Sequence, residues 1–214
     1  MMLDRENKRL RYAFHEAGHA VVMWCIGLRV ESVTIADEGR RGFIVGGRGY
    51  PGCGGVAVGT GGYRYGDLFV SLHDQQTRGV RYPAWADTCA EKVREELQKM
   101  RDSMAHLFAG VLAEWLFFDV PLDELKTGGG RRDMRDIADL AEEYAASEPD
   151  VAEVEKMVSG AEADALALLL EHRDLLACLA VMVFEDGHVT SVAFENLIRK
   201  RTCPALERIK PEIG

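Results

Sequence analysis

"RYAFHEAGHAVVMW", residues 11–24, holds His15-Glu16-Ala17-Gly18-His19 inside an apolar repeat. Leu10, Phe14, Ala17, Val21 and Trp24 recur at steps of three and four, so the stretch predicts an amphipathic helix from about Arg5 to Ile26. Asp4 is the expected N-cap and Gly27 the C-terminal stop. Side chains four apart share a helix face, so His15 and His19 offer two imidazole nitrogens to one ion. Glu16 is rotated about 100° from His15, close enough to take the proton of a water on that ion. Ala17 and Gly18 are small and leave room for a second element to pack close.

An HExxH string also arises by chance on buried helices, and two histidines do not make a catalytic zinc site, which needs three protein ligands and an open position. After His19 come Ala20, Val21, Val22 and Met23, so the third ligand lies elsewhere: His73, His106, His172, His188 or a carboxylate.

With 214 residues, the chain is expected to form a single domain spanning 1–214. Hydrophobic residues make up 47% and charged residues 29%, an ordinary globular balance. A net charge of −9 repels a phosphate backbone, so nucleic acid is not an expected partner. The apolar runs "AVVMWCIGL" and "LLACLAVMVF" are too short to span a bilayer, so no membrane span is expected. His15, Glu16 and His19 fall where a secretory signal would need its apolar stretch. Cys25, Cys53, Cys89, Cys178 and Cys203 are scattered without a CxxC pair and read as free thiols of a reducing cytoplasm.

"RVESVTIA" reads as a strand, and "GFIVGG" is expected to pair with it after the turn "DEGRRG". Residues 46–66 are so rich in glycine that they read as an inserted loop, with a weak "VAV" strand inside it. The absence of GK[ST] excludes a phosphate-binding P-loop. "DLFVSL" is another candidate strand. Pro83 to Phe118 reads as helix, in one piece or two, with Pro83 in its first turn. "VPLDELKTGGG" reads as a connector, a helix starts near Arg132, residues 151–185 form one or two long helices, and Thr190–Arg201 a last short one. The expected class is predominantly α-helical with a small sheet or hairpin after the first helix.

Several collinear segments resemble the peptidase domain of the FtsH family of ATP-dependent zinc proteases. "FHEAGHAVV" followed by "VTI" resembles its zinc helix and strand, and "LFAGVLAEWLFF" its "GGRAAEELIFG" segment. "KTGGGRRDMRDIADLA" resembles "TGASNDLxxATxxA", and "ADALALLLEHRDLLACLA" resembles its C-terminal helix. The likeness runs from residue 10 to about 200. It implies an FtsH-like peptidase fold, His15 and His19 as zinc ligands, Glu16 as catalytic glutamate, and an aspartate third ligand that falls on Asp133. Asp136 is the alternative, because the preceding loop is one residue longer here. Glu114 matches a glutamate that would stand behind the ligands.

The resemblance thus implies a zinc-dependent metallopeptidase holding one zinc ion, with peptide or unfolded protein as substrate bound beside the sheet of residues 32–46. These residues carry no ATPase module, so the expected activity is independent of ATP on its own. A homo-oligomer and a separately encoded ATPase partner stay open. The alternative is a zinc-stabilised, non-catalytic interaction or regulatory module. Without the resemblance, Asp133, Asp136, Asp139, Glu142 and Glu143 would read as a solvated acidic face. His172 and His188 would be surface or capping residues, His106 a neighbour of the site at most, and Arg131 and Arg132 exposed charges or a hold for a substrate carboxylate.

Overall fold

The structure is a computed structural model and describes residues 2–36, 43–45, 48–50, 54–60, 90–147 and 151–200. In chain order the elements are α1 (Met2–Cys25), β1 (Arg29–Ile35), β2 (Phe43–Val45), β3 (Arg48–Tyr50), β4 (Gly55–Thr60), α2 (Ala90–Phe117), α3 (Leu122–Thr127), α4 (Arg131–Ser147), α5 (Val151–Glu171), α6 (Arg173–Asp186), β5 (His188–Thr190) and α7 (Ser191–Lys200). Helix predominates, as the periodicity implied, with a small antiparallel sheet of order β4-β1-β5.

Helix α1 runs through the centre. Ala13, Phe14, Ala17, Ala20, Val21 and Val22 have at most 1% of their surface exposed, so much more than one stripe is covered. Helix α2 lies against it through Ala109, Gly110 and Ala113. A methyl group on Gly18 would lie 2.5 Å from the Ala109 carbonyl oxygen and 2.6 Å from Ala113 Cβ. The small residues of both helices are therefore what lets their backbones approach, and that approach brings side chains of α2 beside His15 and His19. Large apolar residues close the remaining sides. Phe14, Leu112, Leu125, Leu169 and Leu176 are fully buried, each worth about 1.5–3 kcal/mol of transfer free energy.

Helix α1 begins at Met2, so Asp4 lies inside the first turn and is not the N-cap. It stops as expected: Gly27 has φ 83, a left-handed conformation that favours glycine. The sheet departs from the expected pairing. "FIV" does not join β1; it forms a separate hairpin with β3, Phe43 opposite Tyr50. Strand β1 pairs with β4 on one side (Val33 opposite Ala57) and with β5 on the other (Val33 opposite Val189). The segment 46–66 is accordingly not one loop, since it contains β3 and β4. Its glycines mark close approach. A side chain on Gly54 would run into the Tyr12 ring and one on Gly55 into Glu16, so β4 can lie on α1 only with glycine there.

The connector holds a short helix, α3, and residues 151–185 form two helices broken at His172. Pro83, His73 and "DLFVSL" lie outside the described residues. Cys25 and Cys178 are free thiols, whereas Cys53, Cys89 and Cys203 fall outside the described part. Among the described residues no helix is long and apolar enough to cross a membrane.

Candidate metal centre

His15 and His19 project from α1 into a cavity of about 460 Å³ that is also bordered by Glu16, Asp133, His106 and β4 residues Gly55–Ala57. His15 Nε2 lies 3.1 Å from His19 Nε2 and 3.1 Å from Asp133 Oδ2, and His19 Nε2 lies 3.7 Å from that same oxygen. Helix α4 begins at Arg131 and places Asp133 in its first turn. His15, His19 and Asp133 are the histidine–carboxylate group with metal-ligand spacing among the described residues. Asp136, the alternative third ligand, is not part of it.

The outer nitrogens decide what the inner ones do. His15 Nδ1 donates to Glu114 Oε1 at 2.9 Å, and His19 Nδ1 donates to the His106 carbonyl at 2.8 Å. A carboxylate and a carbonyl only accept, so both Nδ1 atoms carry hydrogen and neutral rings turn bare Nε2 lone pairs inward. With the Asp133 carboxylate, three acceptors converge on one point, an arrangement that requires a cation between them. The donor set, two imidazoles and a carboxylate, is one that zinc takes. Glu114 is held in turn by Arg11, whose Nε donates to Oε2 at 2.9 Å. The pattern of an acidic group behind a ligating histidine orients the ring and raises its basicity.

Gly110 provides the space. A methyl group there would sit 2.5 Å from His15 Nε2 and 2.6 Å from His19 Nε2. His106, Gly110 and Glu114 are four apart on α2, so one face of that helix carries a carbonyl, a gap and a carboxylate to the two histidines. That spacing was visible in the sequence, but nothing in it said which way the face turns. Glu114 and His106 lie at the site as expected of them, whereas Arg11 and Tyr12 were missed; each lies one turn before a site residue, His15 and Glu16 respectively. Of the histidines weighed as third ligands, His172 packs edge-on against Trp24, and exposed His188 bonds Thr34; neither borders the cavity. Exposed Arg132 borders the cavity.

Burial dominates the electrostatics. It pushes the Glu16 carboxyl up, against the pull of His15 and His19 and of a backbone hydrogen bond from Ala57. Burial also lowers His106 to about 3, with neighbouring His19 adding to the effect. At His15 burial acts downward, but hydrogen bonds to Asp133 and Glu114 and the charges of Glu16 and Asp133 outweigh it and raise the pKa to about 10. Asp133 is held well below the usual carboxylate range, because the two histidines overcome its burial.

Without metal, a proton on His15 is thus the cation that the three acceptors share. A raised histidine contributes stability fully below its ordinary value of 6.5 and loses it as pH rises through about 10. The melting temperature of the chelated protein should therefore fall between pH 6.5 and 10. The zinc-loaded protein should fall less, since the ion takes the proton's place. Parallel profiles for the two forms would contradict the arrangement. No protein-family model matches the chain, and no curated protein matches it.

Proposed function

We propose that this protein is a zinc metallopeptidase with an FtsH-like peptidase domain, in which His15, His19 and Asp133 hold one zinc ion and Glu16 is the general base. The observation that carries the reading is the convergence of His15 Nε2, His19 Nε2 and Asp133 Oδ2 within 3.1–3.7 Å, in a cavity that Glu16 also borders. A purely structural zinc site is closed by four protein ligands; three ligands, a cavity and a neighbouring carboxylate favour chemistry over scaffolding.

Zinc, when bound, supplies a Lewis acid that brings the pKa of water toward neutrality. The chain's own residues do the rest. Glu16, pushed up by burial, takes the proton of the attacking water and passes it to the leaving amine. The water oxygen bonds to the carbonyl carbon and the C–N bond breaks. Glu114 and Arg11 keep the His15 ring in place.

The substrate class follows from the strand at the cavity. β1 is paired on both sides, so within the expected segment 32–46 it offers no open edge. β4 is one of the two edge strands of its sheet, without a partner on its outer side among the described residues, and Gly55–Ala57 border the cavity. An extended peptide adding to that edge would run past Glu16 and the metal ligands. The purified protein should cleave unfolded casein, lose that activity to a zinc chelator and regain it with added zinc. Cleavage untouched by chelation would remove the metal from the account. Intact casein with fully zinc-loaded protein would leave the non-catalytic module.

A further inference from the structure

His106 has a role left over. Its carbonyl already orients His19, and the residue also borders the cavity. Its Nε2 is buried and has no hydrogen-bond partner among the described residues. Glu96 Oε2 is a buried oxygen of the same kind, but Glu96 does not border this cavity. A buried polar atom left unsatisfied is costly and calls for a reason, and leucine would fill a core position without that cost. The ring centroid is 5.0 Å from that of His19, but His106 is outside the group with metal-ligand spacing. It therefore borders the cavity beside His19 without belonging to the ligand group.

We propose that His106 Nε2–H donates a hydrogen bond to the carbonyl oxygen of the peptide bond being cut, making His106 a catalytic residue; the assignment rests on the peptidase reading above. As water adds to the carbonyl carbon, the carbonyl electron pair moves onto the oxygen, and the Nε2–H group faces the charge that develops there. The C–N bond then breaks, the pair returns to the carbonyl, and the water's proton leaves with the amine through Glu16. A neutral imidazole suits this task, because a donor is needed and a second cation beside the metal would be repelled.

The test uses the full zinc-loaded chain with His106→Leu and His106→Gln. The readouts are zinc content, kcat/KM on an unfolded-casein peptide, and Kd for a phosphinic peptide whose tetrahedral oxygen mimics the reacting one. Both variants should keep their zinc, because His19 bonds the backbone of residue 106 and not its side chain. Leu should lower kcat/KM and phosphinic-peptide affinity by about 100-fold, and Gln, which keeps an N–H donor, should retain part of both. Unchanged turnover and affinity in His106→Leu overturn the proposal, as does zinc loss in step with activity, which would make His106 a ligand. If the parent protein cuts no peptide, the peptidase reading fails separately. The phosphinic peptide then decides alone: weaker binding to His106→Leu supports the contact, and equal or absent binding overturns it.

Discussion

Replacing Glu16 by Gln is expected to abolish peptide cleavage while leaving the bound zinc in place. The substitution keeps the side chain's length and its ability to accept the Ala57 backbone hydrogen bond. What it removes is the capacity to take a proton. General-base catalysis contributes about 10²–10⁴-fold, so kcat should fall by at least two orders of magnitude with little change in melting temperature. Zinc should stay, because the converging atoms belong to His15, His19 and Asp133. Cleavage that survives Glu16→Gln would defeat the mechanism. Zinc lost with the carboxylate would make Glu16 a ligand.

Asp133→Asn should weaken zinc binding by well over 100-fold. Altering the groups behind metal ligands already costs about 10–100-fold in affinity, and Asp133 is itself the anionic ligand of the proposed set. Asparagine has the same shape but no charge to balance the ion, and its amide can turn an N–H toward the two Nε2 atoms. The change also removes the partner that holds the His15 proton in the metal-free protein. Competition with a chromophoric chelator measures the effect. Unchanged affinity would move the third ligand to another carboxylate, with Asp136 the nearest in sequence.

The central helix and its two histidines were legible because a period near 3.6 and an i, i+4 pair are both local signals. The stop at Gly27 was legible for the same reason. Asp133 was not, because it is 114 positions after His19 and sits in an acidic helix that composition alone assigns to solvent. Only resemblance to a known segment singled it out. β4 was half-hidden, since glycines that normally mark loops are here the price of lying against Tyr12 and Glu16. β5 is three residues, His188–Thr190, too short for alternation to register. The pairing of β1 with two distant strands is a tertiary outcome that no local pattern encodes. His106 is the same case: its spacing from Gly110 and Glu114 was visible, but its closeness to His19 exists only once α2 packs on α1.

The most direct measurement is anomalous diffraction at the zinc absorption edge from crystals grown with zinc. The account predicts one strong peak within about 2.0–2.2 Å of His15 Nε2, His19 Nε2 and an Asp133 carboxylate oxygen. It also predicts an open position facing Glu16 and β4. A peak completed by any other protein group in place of Asp133, or no peak between the two histidines, would contradict it.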